Sequence, residues 1–404
     1  MTMLIEIIIA MFLGILTGIF SGLTPGIHIN LVSVIVVSIS PFLLQFTSPV
    51  ILGVFIIALA ITHSFLDAVP SIYLGAPDAG QELNVLPGHR LLLRGEGHNA
   101  IVYTLIGSLG SLLLCLILFP ILLWAMLKAD PFLKGIMGYM LIVIMAYMIM
   151  KEKGKWIICL TVFLLSGCLG LIILNGIPNL RQPLFPLLSG LFGFSILLMS
   201  LLQKSSIPKQ DFSKPLTIST KNLTKAVSAA SGVGFIAGFL PGFGSSQAAV
   251  VATEAVGDIG DEGFLTLVGG INTANFLISI GTAYVLDKAR NGAIVAVNEL
   301  MGKIEFSEML LFLGVSLTVG GISTILALLI SKQFAKWIVK VKYSTIVWSI
   351  LIFITLLTIY FDGFIGLTIL MTATALGLVT SYWKVAKSHL MGCLILPVIL
   401  YFIL

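Results

Sequence analysis

Gly18-Ile-Phe-Ser-Gly22-Leu-Thr-Pro25-Gly26 and Gly234-Phe-Ile-Ala-Gly238-Phe-Leu-Pro241-Gly242 stand 216 residues apart and share the pattern G-x-x-x-G-x-x-P-G. Proline removes a backbone donor and clashes with the preceding turn, and glycine lets the chain reverse, so a helix is predicted to end near Thr24 and again near Leu240. Polar residues follow before apolar sequence resumes: His28 and Asn30 in the first copy, Gly244, Ser245, Ser246 and Gln247 in the second. One copy alone would read as helix packing through G-x-x-x-G followed by an ordinary end-of-span turn. Two copies, each with polar residues behind it, read as interrupted membrane helices. Backbone groups freed at membrane depth must be buried in protein or line a wet cavity, and the amides that open the next half-helix make an anion site.

Composition sets the class around this motif. With 58% hydrophobic and 10% charged residues in 404, the chain has too little polar surface to wrap a soluble core. Uncharged runs long enough for a hydrocarbon layer of ~30 Å include Ile101 to Leu127, Trp156 to Leu174, Leu184 to Leu202, Met309 to Ile330 and Tyr343 to Phe361. The stretches left over are of loop or re-entrant size, and none could fold alone. The amino terminus lacks the basic region and cleavage site of a secretory signal and reads as the first membrane segment. Cys115, Cys159, Cys168 and Cys393 sit in apolar runs without paired spacing, as small buried residues do.

The formal charge of +5 is orientation information, not a nucleic-acid footprint. Basic clusters at Lys151 to Lys155, Lys204 to Lys225, Lys332 to Lys342 and Lys384 to Lys387 are expected on the cytoplasmic side, with two spans between the first pair and two between the last pair, which turn at Asp362-Gly363. Counting outward puts Arg90 to His98 inside and Asp287 to Glu308 outside. The fold class expected is therefore an all-α integral membrane protein: a polytopic helical bundle of two inverted-topology repeats, residues 1–215 and 216–404, with broken, re-entrant helices. A multi-pass plasma-membrane location follows.

The paired Pro-Gly elements, with Tyr73-Leu-Gly-Ala-Pro-Asp-Ala-Gly80 and Leu86-Pro-Gly88-His-Arg-Leu-Leu-Leu-Arg94-Gly-Glu-Gly, resemble the TctA family, the large membrane subunit of tripartite tricarboxylate transporters. Gly269-Gly-Ile-Asn272-Thr-Ala-Asn275 is a reduced echo of the family's second half, so the chain looks like a compact, divergent branch. The resemblance implies a permease for an anionic, carboxylate-bearing solute, and as partners a small membrane subunit or a solute-binding protein. A homodimer is a further option.

Substrate-binding candidates are the two tips, Pro25, Gly26, His28 and Asn30 with Pro241, Gly242, Ser245, Ser246 and Gln247, together with Asp67, Asn272 and Asn275. Arg90 and Arg290 are the cations expected near the inner and outer mouths, Arg90 having the plainer alternative of charge bias alone. No catalytic or metal site and no cofactor is expected. Na⁺ at freed carbonyls, or H⁺ on Asp67, Glu254 or His63, are the candidate coupling ions. A translocase of an anionic polyprenyl-phosphate lipid is the alternative reading. An intramembrane enzyme is disfavoured, because the sequence offers neither aspartates on facing helices nor a pyrophosphate-binding D-x-x-x-D in the first half.

Overall fold

The computed structural model describes residues 2–24, 29–75, 85–152, 154–178, 180–202, 207–239, 244–289, 291–340 and 342–404, and every regular element among them is helical. In the first half these are α1 (Thr2–Leu23), α2 (Ile29–Leu43), α3 (Pro49–Leu66), α4 (Ala68–Leu74), α5 (Val85–Leu93), α6 (Gly97–Lys151), α7 (Trp156–Leu171), α8 (Leu184–Leu188) and α9 (Ser195–Leu202). The second half contributes α10 (Thr220–Phe239), α11 (Ser245–Val256), α12 (Gly260–Leu286), α13 (Gly292–Met301), α14 (Phe306–Ile338), α15 (Tyr343–Tyr382) and α16 (Gly392–Ile403). Among the described residues, 7 helical stretches are long and apolar enough to cross a membrane, which makes this a multi-pass membrane protein. The expected span at 184–202 is helical but carries a wider π-helical segment at Ser189–Phe194, where Gly190 lies against Leu370 and Ala373.

The glycines of the repeated motif pack helix on helix. A Cβ on Gly18 would fall 2.6 Å from the Cβ of Thr62 and 2.7 Å from the Leu59 carbonyl, and one on Gly22 would meet the His63 carbonyl and Leu66 Cβ at 3.0 Å. In the second half, Gly234 stands against Ala274 and the Ile271 carbonyl, and Gly238 against Ile278 and the Asn275 carbonyl. The glycines are 216 residues apart, and their partners on α3 and α12 are 212 apart in every case. One contact pattern is thus made twice, with the intervening segment four residues shorter in the second copy. Without side chains at these points the backbones come close enough for dispersion to hold helices that hydrophobic burial alone does not associate in lipid.

Both packings are parallel, since residue numbers rise together along each pair. The chain must therefore return between the members of each pair, and α2 and α11 are those returns. Residue 278 on α12 lies about 27 Å from the start of its helix and residue 66 about 26 Å from the start of α3, at ~1.5 Å per residue. The ends of α1 and α10 are thus well inside the thickness that α3–α4 and α12 span.

Polar contacts bring the basic clusters to one end of the molecule. Arg90 pairs with Asp261 at 2.7 Å, Lys214 with Glu96 at 2.8 Å and Lys151 with Glu254 at 3.3 Å, while Lys155 Nζ donates to the carbonyls of Trp383 and Lys384 at 3.1 and 3.0 Å. Residues 207–219, between the halves, are strapped to this end. The buried Gln210 accepts from Gly97 N–H at 2.8 Å and donates to the Leu92 carbonyl at 3.1 Å, and Thr217 joins Tyr103 to Glu262. At the opposite end Asp362 Oδ1 accepts the N–H groups of Arg181 and Gln182 at 2.6 and 3.1 Å. Here α15 reverses at Gly363 with φ 61°, the turn expected at Asp362-Gly363. The helix α6 also changes direction along its length: Gly97 and Lys151 both lie at the basic end, whereas Gly138 touches Phe402 and Ile403 at the far end of α16.

The interior is divided between two apolar clusters. One gathers α1–α5 with α13, α14 and the start of α6; the other gathers α7, α8, α10, α11, α16 and the later part of α6, and α12 contributes to both. Where α6 crosses α12 the backbones touch, Gly107 lying on the Thr266 carbonyl and Gly269 on the Thr104 carbonyl.

Candidate functional site

The second polar tip is built on the buried start of α11. Gln247 Oε1 accepts the Gly244 N–H at 3.0 Å and fixes the entrance to the helix. One turn away, Asn275 Nδ2 donates to Ser245 Oγ at 3.0 Å, and Ser245 Oγ in turn donates to Asn272 Oδ1 at 3.2 Å. Ser245, Ser246 and Gln247 are all buried, at 6%, 4% and 5% exposure. Behind them the Gly238 carbonyl, in the last turn of α10, accepts from Thr282 Oγ1 at 3.1 Å and from Ser279 Oγ at 3.3 Å, so α12 side chains satisfy an acceptor at the end of that helix.

This arrangement carries hydroxyl and amide groups only. The first-turn amides of α11 supply partial positive charge, and the side chains add neutral donors, a combination that favours an anion over a cation. Ser279 and Thr282 were not among the sequence candidates. Their signal was nevertheless legible: Asn272, Asn275, Ser279 and Thr282 fall at helical spacing on one face of α12.

The first tip differs in chemistry. His63 Nδ1 lies 3.0 Å from Ser21 Oγ, and both residues are buried. Asp67, 3% exposed, occupies the joint between α3 and α4, where Ser71 Oγ donates to its backbone carbonyl at 2.9 Å. By the 212-residue correspondence His63 matches Asn275 and Asp67 matches Ser279.

Of the remaining sequence candidates, Pro25, Gly26, His28, Pro241, Gly242 and Arg290 lie outside the described residues, and Asn30 falls in α2 with its side chain outside them. Arg90 is at the basic end on α5, half exposed and paired with Asp261 at the start of α12, so it bridges the two halves of the chain. Glu254 is likewise at that end, held by Lys151. The four cysteines are free, three of them buried, and no group of three or more metal-ligating side chains occurs among the described residues.

Comparison with known proteins supplies the remaining constraint. The profile of the tripartite tricarboxylate transporter TctA family matches residues 8–392. An uncharacterized protein of Methanocaldococcus jannaschii is 29% identical over 357 residues, covering 86% of this chain and 88% of its own length. No solved structure matches the chain at a significant level.

Proposed function

The chain belongs to the tripartite tricarboxylate transporter TctA family, and on that premise we propose that it carries a carboxylate-bearing anion across the membrane between the two polar tips. The observation that carries this reading is the Ser245–Asn272–Asn275 cluster at the buried start of α11. A carboxylate entering there exchanges water for backbone amides and neutral side-chain donors, and no charged side chain among the described residues of the cluster has to be displaced. His63 and Asp67 on the other tip are the groups able to gain or lose a proton as the solute moves, with Na⁺ at carbonyls near the helix breaks as the competing coupling.

We read residues 1–215 and 216–404 as inverted halves around this site. The duplicated parallel packing supports that reading. So does its direction: α12 begins at the basic end through Asp261 and Glu262, whereas α4, continuing α3, brings Tyr73 there to Ser331 and so ends at it. The basic end is assigned to the cytoplasm of a plasma membrane. Family membership further proposes a small membrane subunit and a solute-binding protein as partners.

The test is counterflow of labelled citrate in proteoliposomes holding the purified chain, with and without those partners and under imposed H⁺ or Na⁺ gradients. Citrate exchange, alone or on adding the partners, is the expected result. Movement of a labelled polyprenyl phosphate in place of citrate, or chemical change of the solute, would overturn it.

A further inference from the structure

A cavity of about 310 Å³ opens at the other end of α11, lined by Pro87 and Arg90 of α5, Phe192 and Ile196, Thr253, Gly257 to Asp261 and Phe264 of the second half, and Lys387 with Ser388 from the turn before α16. Its size is at the lower end of the ~300–1,000 Å³ range of small-molecule pockets. We propose that this cavity is a second oxyanion site, separate from the polar tips, in which Lys387, Ser388 and the uncommitted donors of Arg90 hold a carboxylate or phosphate group.

The charges are arranged for this. Lys387 Nζ lies 2.6 Å from Ser195 Oγ, a neutral hydroxyl, and no carboxylate among the described residues is within ion-pairing distance of it. A half-buried ammonium so placed carries charge that no described carboxylate offsets. The two acids lining the cavity are otherwise engaged: Asp258 is exposed at the rim with Oδ1 accepting the Gly260 N–H at 3.0 Å, and Asp261 is taken by Arg90. Arg90 commits one nitrogen to Asp261, and its fork has further N–H groups to offer. Lys151, Glu254 and Glu152 belong to the neighbouring His389 cluster.

Burial also pushes the Lys387 ammonium down to about 7. Below that pH it is a cation, above it a neutral and reactive amine, and a bound oxyanion shifts the balance back toward the cation. Site and state can therefore be read from one side chain.

The experiment is amine modification by a small reagent near neutral pH, followed by mass spectrometry. It uses the whole chain in vesicles of phosphatidylcholine alone or mixed with phosphatidylglycerol, with citrate or inorganic phosphate added. Lys387 is expected to react faster than the exposed Lys384, and occupancy to slow it about fivefold at neutral pH relative to Lys384, since raising a pKa of about 7 by one unit cuts the neutral amine from about a half to about a tenth. Protection by citrate or phosphate in phosphatidylcholine identifies a soluble anion as the ligand; protection only with phosphatidylglycerol identifies a lipid headgroup. D261N, which frees Arg90, should strengthen protection, and R90Q should weaken it. Unchanged reactivity in every arm overturns the assignment, as does a Lys387 that never reacts while Lys384 does. Uptake is not the readout, so failure of the transport reading leaves this result intact.

Discussion

The two packed pairs, α1 against α3 and α10 against α12, share a contact pattern and differ in chemistry. Gly18 and Gly22 on α3 and Gly234 and Gly238 on α12 make the same close approaches, one register against the next. Where the first half then places His63 and Asp67, the second places Asn275 and Ser279. Packing between small residues tolerates no change, because a Cβ at these glycines would meet backbone oxygen or a neighbouring Cβ. The side chains just beyond are free to diverge. On the proposed reading the halves keep one packing scaffold while the tips divide the work: His63 and Asp67 bring ionisable side chains, Asn275 and Ser279 neutral ones.

The largest expected effect breaks the scaffold itself. Gly18→Leu and Gly234→Leu should each cost at least ~1–3 kcal/mol through forced separation of paired helices, and more if the tip cannot rearrange. Thermal melts of detergent-purified protein check this. A strong loss for Gly234→Leu with none for Gly18→Leu would show that the two packings are not energetically equivalent. Gly14→Ala is the subtler version, copying the Ala230 that stands 216 residues on. A Cβ there meets the Phe55 carbonyl at 2.6 Å, so even one methyl should lower the melting temperature.

Next in size is the neutral tip. Asn275→Leu removes the donor to Ser245 and leaves buried polar atoms unsatisfied, a loss of ~1–3 kcal/mol, or about 10–100-fold in citrate exchange if the solute binds there. Normal exchange with unchanged apparent affinity would remove this tip from the pathway. The ionisable tip should respond differently. His63→Gln with Asp67→Asn is expected to abolish the dependence of uptake on an imposed H⁺ gradient while solute binding persists, whereas Asn275→Gln should leave that dependence in place. Loss of that dependence in the second variant and not in the first would reverse the proposed division of roles.

Much of this was legible in the sequence for a physical reason. Helix in lipid is forced by backbone hydrogen bonding, so apolar run length reported the spans at Trp156 and Met309 directly, and the Gly363 reversal followed from a polar Asp-Gly pair between two runs. The G-x-x-x-G glycines were visible too, and the structure assigns them the packing role that one copy alone would have suggested. Ser279 and Thr282 escaped because their value lies in reaching the Gly238 carbonyl on another helix, a tertiary fact that periodicity hints at but does not fix. Lys387 escaped for a similar reason. In sequence it is one more lysine of a basic loop, and only the fold sets it against Ser195 with no carboxylate among the described residues in reach.

The smallest effect concerns Arg90, and it separates topology from function. Its guanidinium is half exposed and already paired, so screening limits what any single contact contributes; exposed pairs are typically worth ~0–1 kcal/mol. Arg90→Gln should therefore change solute affinity by no more than about fivefold, measured as sided uptake in vesicles with oriented protein. If the basic end faces the cytoplasm, the change belongs to uptake from that side alone. Arg290→Gln, made in the other half, should act from the outer side. Asp261→Asn sharpens the comparison, since it frees the same guanidinium without removing it and should raise affinity from the side where Arg90→Gln lowers it. Opposite signs on one face assign Arg90 to the anion's path. Equal small losses from both variants would mean that the pair only clasps α5 to α12, and the difference between the halves would then reside in His63 and Asp67 alone.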